Sequence, residues 1–215
     1  MDSFKAADNV PLRRQPKQDR SRGRVEEILK VAMQLLGEKG IDAVTMKEVA
    51  ALSGGPISSV YQYFPNKSAI LSMLYTQYSH EVRGILRDSL QDVRNVDDAF
   101  SALDTILDRY YRHIETNPAL RDLLHAIQAD KKLVMVDIAE TRQEADVFTQ
   151  ATQGFVPEAA RPQYGRIVFL MFQMTGSTVR TASMLGAAEA VEILADFRAI
   201  VHGQLRLLMD GSHAR

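Results

Sequence analysis

The residues between Thr45 and Lys67 are where this chain's sequence is richest in recognisable chemistry. Thr45-Met46-Lys47-Glu48 has the spacing of a capping box, in which hydroxyl and carboxylate satisfy each other's free backbone N–H. Ser53-Gly54-Gly55 reads as a turn, and Pro56 sits near the first turn of a second short helix. Two short helices about a glycine turn make a helix-turn-helix, whose second helix enters the major groove of DNA. That placement directs Pro56, Ile57, Ser58, Ser59 and Gln62 toward base edges. Glutamine can pair bidentately with adenine, and isoleucine can touch a thymine methyl. No acidic residue lies between Ser53 and Phe64, which removes a repulsion from phosphate.

Catalytic chemistry is thinly represented. The chain has no nucleophile elbow, no phosphate-binding loop, no dinucleotide fingerprint and no zinc-protease motif. The absence of cysteine excludes disulfides, thiolate metal sites and thiol nucleophiles. The histidines are His80, His113, His125, His202 and His213. His113 or His125 as a general base defines an alternative reading, a small helical enzyme, but spacing alone brings neither to a carboxylate. No enzyme activity, cofactor or metal is expected.

The elements that must carry the motif follow from its punctuation. Seven prolines, at 11, 16, 56, 65, 118, 157 and 162, leave three long proline-free stretches, and helical periodicity runs through all three. The pattern predicts an all-α chain of about nine helices. They run from Arg22 to Glu38, from Thr45 to Leu52, from Pro56 to Tyr63, from Asn66 to Val93 and from Asp97 to Thr116. The rest run from Asn117 to Ala129, from Lys131 to Thr152, from Pro162 to Leu185 and from Ala187 to Met209. Gly37 and Gly40 bracket the end of the first, and Gly154–Arg161 is a loop.

Charge is unevenly placed along the 215 residues. Residues 1–70 carry eleven Lys and Arg against eight Asp and Glu, whereas the remainder is acidic by four. Between Leu12 and Arg24 six basic residues face Asp19 alone. Such asymmetry suggests that one end meets a polyanion. The longest apolar run, Ile167–Phe172, is far too short to span a bilayer, and no signal-peptide core is visible, so a cytoplasmic protein is expected.

From Ile28 to Leu74 the chain resembles the DNA-binding domain of the TetR family of tetracycline-repressor-like regulators. The resemblance rests on Ile28-Leu29, Ala32, Gly40, Thr45, Val49-Ala50, Gly54, Val60-Tyr61, Tyr63-Phe64 and Lys67, and above all on the run VYQYFPNKSAIL. It implies a three-helix DNA-binding domain with helix-turn-helix, here 22–67, behind a flexible basic arm, 1–21. A larger helical domain, 68–215, would bind a ligand and dimerise. It further implies that Thr45, Tyr61, Tyr63 and Lys67 hold the DNA backbone, with Arg22 and Arg24 on the basic arm reaching phosphates or the minor groove. One position departs: at Gly55 the family usually has an apolar residue, often valine. Glycine there predicts a loosened headpiece that Gly55→Val would tighten, or a chain that keeps the fold without DNA binding.

The resemblance also implies a homodimer on a palindromic operator, released by a small molecule, with repression the usual sense. Its interface would be the last two helices. One carries Ile167, Leu170, Met171, Met174 and Val179 beside small Gly176, Ser177 and Ser183. The other carries Val191, Leu194, Phe197, Ile200, Val201, Leu205 and Leu208. Tyr78, Tyr110, His113, His125, Phe148, Phe172 and Gln173 are the candidates to line a ligand pocket. With Met135, Met171 and Met174 they suit an apolar or aromatic effector.

Overall fold

A computed structural model of the protein describes residues 19–209. The basic arm up to residue 18 and His213 lie outside the described residues. Within them every regular element is helical. The order is α1 (Asp19–Lys39), α2 (Met46–Leu52), α3 (Ile57–Tyr61), α4 (Lys67–Leu90), α5 (Val96–Glu115), α6 (Pro118–Ala129), α7 (Lys131–Thr152), α8 (Arg161–Ala182) and α9 (Ala187–Met209). Three 3-10 turns, at Ile41–Ala43, Gln153–Phe155 and Glu158–Ala160, complete the set; the last two lie largely in the stretch expected to be loop. No described helix is long and apolar enough to cross a membrane.

The chain divides into two compact units that do not follow chain order. The first takes residues up to His80 together with Asn117–Asp137; the second takes Glu81–Thr116 and Ile138 onward. In the first, α1 buries Val25, Ile28, Leu29, Ala32, Leu35 and Leu36, the helical stripe read from sequence. Val49, Val60, Phe64, Ile70, Leu123 and Ile127 are also buried there. In the second, α5 buries Phe100, Ile106, Leu107, Tyr110 and Ile114, and α8 and α9 bury Val168, Val179, Leu194, Phe197, Val201 and Leu205.

Caps explain most boundaries. Asn66 accepts the Ala69 N–H at 2.9 Å and opens α4; Asn95 accepts the Asp98 N–H at 2.8 Å and opens α5. Asp130 accepts the Lys132 N–H at 2.8 Å at the start of α7, and that bond, with one from the Ser68 hydroxyl, holds its carboxyl below the usual carboxylate range. The Ser183 hydroxyl donates to the Arg180 carbonyl at 2.8 Å and ends α8 three residues before Leu185.

Three local expectations are corrected. The capping box at Thr45 is only half made. Thr45 Oγ1 accepts the Glu48 N–H at 3.1 Å, but the Thr45 N–H already donates to Ala43 at 2.9 Å and needs no carboxylate. Gly37 does not end α1. It lies inside that helix, where a β-carbon would come within 2.8 Å of the Ala119 β-carbon, so glycine permits the close approach of α1 and α6. Gly40, at φ 78°, is the residue that turns the chain. Finally, α1 begins at Asp19, which makes Arg22 and Arg24 helical rather than part of an arm.

Two polar groups deep in the second unit have partners. Arg83 and Glu140 form an ion pair with side chains only 7% and 10% exposed. The Tyr164 hydroxyl lies 2.7 Å from Thr152 Oγ1, and burial pushes its pKa up to about 12.

Candidate nucleic-acid interface and inner cavity

In the first unit α2 and α3 pack through Val49, Ala50 and Val60, all buried, so their opposite faces are left to solvent. Thr45, Pro56, Ser58 and Gln62 are exposed, as are Ile57 at 43% and Tyr61 at 39%. These side chains form a face with one large apolar group, hydroxyls, an amide and a phenol, and no carboxylate from Ser53 to Phe64. Arg22 is exposed on α1. Lys47, exposed in the first turn of α2, was not singled out from sequence; its place right after the Thr45 cap was the available signal.

Four of the expected DNA contacts have internal engagements. Tyr63 is buried among core residues, which does not suit a backbone contact. Lys67 donates from Nζ to the Ile41 carbonyl at 3.0 Å, joining the start of α4 to the 3-10 turn before α2. Arg24 donates from Nη1 to the Ser53 carbonyl and from Nη2 to Ser59 Oγ at 2.9 Å. Ser59, half-buried, is therefore an acceptor within the headpiece.

Gly55 stands beside that arginine. Its φ is not positive, so backbone conformation does not demand glycine. A β-carbon at 55 would lie 2.7 Å from Arg24 Nη2, 3.2 Å from Arg24 Cζ and 3.1 Å from Ser59 Oγ. The space that looks empty in the sequence is filled by the guanidinium. The expectation that Gly55→Val tightens the turn is corrected for that reason.

The second unit holds a small apolar cavity of about 40 Å³ among α5, α7, α8 and α9. Phe148 and Phe172 line it, their ring centroids 6.0 Å apart, together with Met171, Phe197 and Leu205. The polar side chains on the wall are Asp104, Arg198 and Thr175. Asp104 forms an ion pair with Arg198, 3.2 Å from Nε, and lies 2.8 Å from His202 Nε2, while Arg198 Nη2 donates to Asp108 at 2.6 Å. Sequence reasoning missed this cluster, because nothing local marks contacts between residues ninety or more positions apart.

The other ligand candidates fall elsewhere. Tyr78 is buried in the first unit, its ring 5.5 Å from that of Tyr75. His125 is exposed on α6. His113 pairs with Glu81 at 3.3 Å and borders an open recess with Ile85, Arg109, Arg112 and Thr116. Tyr110 is buried, and Gln173 is half-buried with its Nε2 unpartnered, yet neither lines the cavity. Met135 and Met174, 60% and 48% exposed, face solvent because they lie on the outer sides of α7 and α8.

The residues proposed from sequence for subunit pairing separate into two faces. Met171, Val179, Leu194, Phe197, Val201, Leu205 and Leu208 are buried within the unit. Leu170, Met174, Val191 and Ile200 are not, nor is Leu207; Ile200 and Leu207 share one exposed side of α9, whereas Val191 lies on the opposite side of that helix.

Comparison with known proteins agrees with this architecture. The family described as "Bacterial regulatory proteins, tetR family" matches residues 28–74, and that described as "Tetracyclin repressor-like, C-terminal domain" matches residues 97–209. No curated protein matches. Among solved structures, the fatty acid degradation regulator FadR from Bacillus halodurans is similar at a TM-score of 0.61 and 16% identity, covering 94% of this chain and 100% of that one. A TetR-family regulator from Streptomyces coelicolor is similar at 0.63 and 22%, covering 86% and 99%. The repressor AlkX from a Dietzia strain, implicated in biodegradation of n-alkanes, is similar at 0.58 and 18%, covering 86% and 97%. At these identities the likeness is one of fold.

Proposed function

The chain belongs to the tetR family of bacterial regulatory proteins and is a DNA-binding transcriptional regulator; from that premise we propose a homodimeric cytoplasmic repressor that an apolar small molecule releases from a palindromic operator. Residues 22–67 act as the reading head, the basic arm expected over 1–21 runs into α1 from Asp19, and 68–215 sense and pair. Ile57, Ser58 and Gln62 meet base edges, with Pro56 at the groove and Ser59 behind them. Thr45, Tyr61 and Arg22 meet the backbone. The observation that carries this reading is the exposed, carboxylate-free face of α3.

The sensing half of the proposal draws on the cavity. Its wall of Phe, Leu, Ile, Val and Met suits an apolar body, and only the Asp104–Arg198 pair and Thr175 offer hydrogen bonds. Two proteins of similar fold, a fatty acid degradation regulator and a repressor implicated in biodegradation of n-alkanes, accord with a ligand of that class. Pairing uses the outer faces of α8 and α9. An effector that binds better to a dimer with its reading heads off register shifts the population away from DNA, by a coupling of about 1–3 kcal/mol.

The reading in which the fold persists without DNA binding drew on Gly55; with Arg24 in that space, Gly55 lends it no support. The enzyme reading is set aside because family regulators act by binding; the His113–Glu81 contact at 3.3 Å is all that the fold adds to it. The test is selection of random duplex DNA on the purified protein at fixed moderate salt. An enriched palindrome with steeply salt-dependent affinity is the expected result; the absence of both overturns the proposal.

A further inference from the structure

We infer that Arg24 is a positioning residue for DNA reading, a guanidinium that stands in for the side chain Gly55 lacks and holds α3 in place without touching DNA. The inference rests on the reading of α3 as the recognition helix. Arg24 belongs to α1, 29 residues before Ser53 and 35 before Ser59. Its two nitrogens grip the two ends of the turn. Nη1 takes the carbonyl of Ser53, the C-cap of α2, and Nη2 takes the hydroxyl of Ser59, in the middle of α3.

That fork matters because α3 is weakly held by other means. It is five residues long, opens on Pro56 with no side-chain cap, and buries only Val60. A helix so short does not stand by itself. Its exposed residues are the ones that would read bases, so its orientation about the Val60 anchor sets which groups reach the groove. A planar guanidinium with donors in fixed directions suits that task, and lysine, a point charge on a flexible stem, does not.

The geometry makes Arg24 and Gly55 mutually exclusive with larger residues. A β-carbon at 55 falls 2.7 Å from Arg24 Nη2 and 3.1 Å from Ser59 Oγ, so alanine displaces the end of the arginine by a few tenths of an ångström and the bulkier valine competes with the guanidinium for the space. With Arg24 truncated, two of the three nearest atoms are gone and Ser59 Oγ, at 3.1 Å from the β-carbon, is the neighbour that remains. A contact of arginine with phosphate predicts none of this.

The experiment uses full-length protein and the duplex enriched by selection, with affinity measured across salt concentrations and melting temperature measured alongside. Arg24→Ala should weaken binding about tenfold, for the loss of a charge-assisted hydrogen bond. It should leave the slope of affinity against salt unchanged, whereas a lost phosphate contact lowers that slope by about one. Arg24→Lys should bind no better than Arg24→Ala. Gly55→Val should also bind weakly, and Arg24→Ala with Gly55→Val together should bind better than either alone and melt higher than Arg24→Ala.

A drop in slope with Arg24→Ala, or full rescue by lysine, overturns the inference in favour of a phosphate contact. Should Arg24→Ala prove too unstable to assay, Gly55→Val carries the test; wild-type affinity and melting there overturn the proposed competition for space. If wild-type protein binds no duplex in a salt-dependent way, the recognition-helix reading falls and the role of Arg24 in reading falls with it. The melting cycle among the four proteins then still reports whether the two positions share one space.

Discussion

Replacing Ile200 by glutamate separates association from folding. Ile200 is 60% exposed on α9, so its substitution removes little from the core of its own subunit, in contrast to Val201 and Leu205, which are 4% and 1% exposed. Full burial of such a side chain is worth roughly 1.5–3 kcal/mol, and 60% of it gives about 1–2 kcal/mol. A two-fold interface repeats each contact, which doubles the loss to about 2–4 kcal/mol. The carboxylate, enclosed by Leu170, Met174 and Leu207 if those residues share the interface, adds a desolvation cost. The dimer dissociation constant should therefore rise by at least about 30- to 1,000-fold. Sedimentation velocity across a concentration series reads this directly, with circular dichroism as the check that helices persist. Ala129→Glu, at an exposed position of α6, should leave association unchanged. A folded Ile200→Glu protein that dimerises with wild-type affinity would refute pairing through the outer face of α9.

Two further outcomes follow from the second unit. Thr175→Phe should fill the cavity beside Phe148 and Phe172; binding of dodecanoic acid, followed by displacement of a hydrophobic dye, should fall at least tenfold while operator affinity stays within about twofold, and unchanged binding places the effector elsewhere. Tyr164 should give stability an alkaline limb. Its phenol, neutral when protonated, has a pKa of about 12 in the folded protein against an ordinary tyrosine value of 10.0, so its contribution is whole below pH 10 and is lost as pH climbs toward 12. The loss amounts to about 2–3 kcal/mol, and Tyr164→Phe should flatten that limb in chemical denaturation between those pH values.

Periodicity carried the helices because it is a local property. Lys131–Thr152 and Ala187–Met209 stand at the ends read from sequence, since Asp130 caps one and the spacing of Leu194, Phe197, Val201 and Leu205 continues through the other. Exposure of Ile57, Ser58 and Gln62 was equally legible, because a short helix anchored by one valine must show its other faces. The cavity was less so. Phe148 and Phe172 were named as aromatic residues on apolar faces, but Asp104, Arg198 and His202 meet only after α5 and α9 pack. Tyr78 and His125 were attractive for the same chemical reason as Phe148, and chemistry alone does not say which unit a side chain will join.

Gly55 shows where motif reasoning stops. A motif compares one position with the same position in relatives, so a glycine where valine is usual reads as a hole. Packing compares volumes in space, and the volume at 55 belongs to a residue 31 positions earlier in the chain. The reading of Arg24 as a contact to phosphates or the minor groove arose in the same way, because a basic residue near a basic arm is charge looking for a partner when partners inside the fold are not visible. The two readings have one cause. An arginine whose two nitrogens bind Ser53 and Ser59 explains why the glycine is tolerated, and the glycine explains why the arginine reaches that far. Substituting either residue alone should therefore look like damage to a conserved-looking motif, and only the pair changed together distinguishes an exchanged filler from a weakened headpiece.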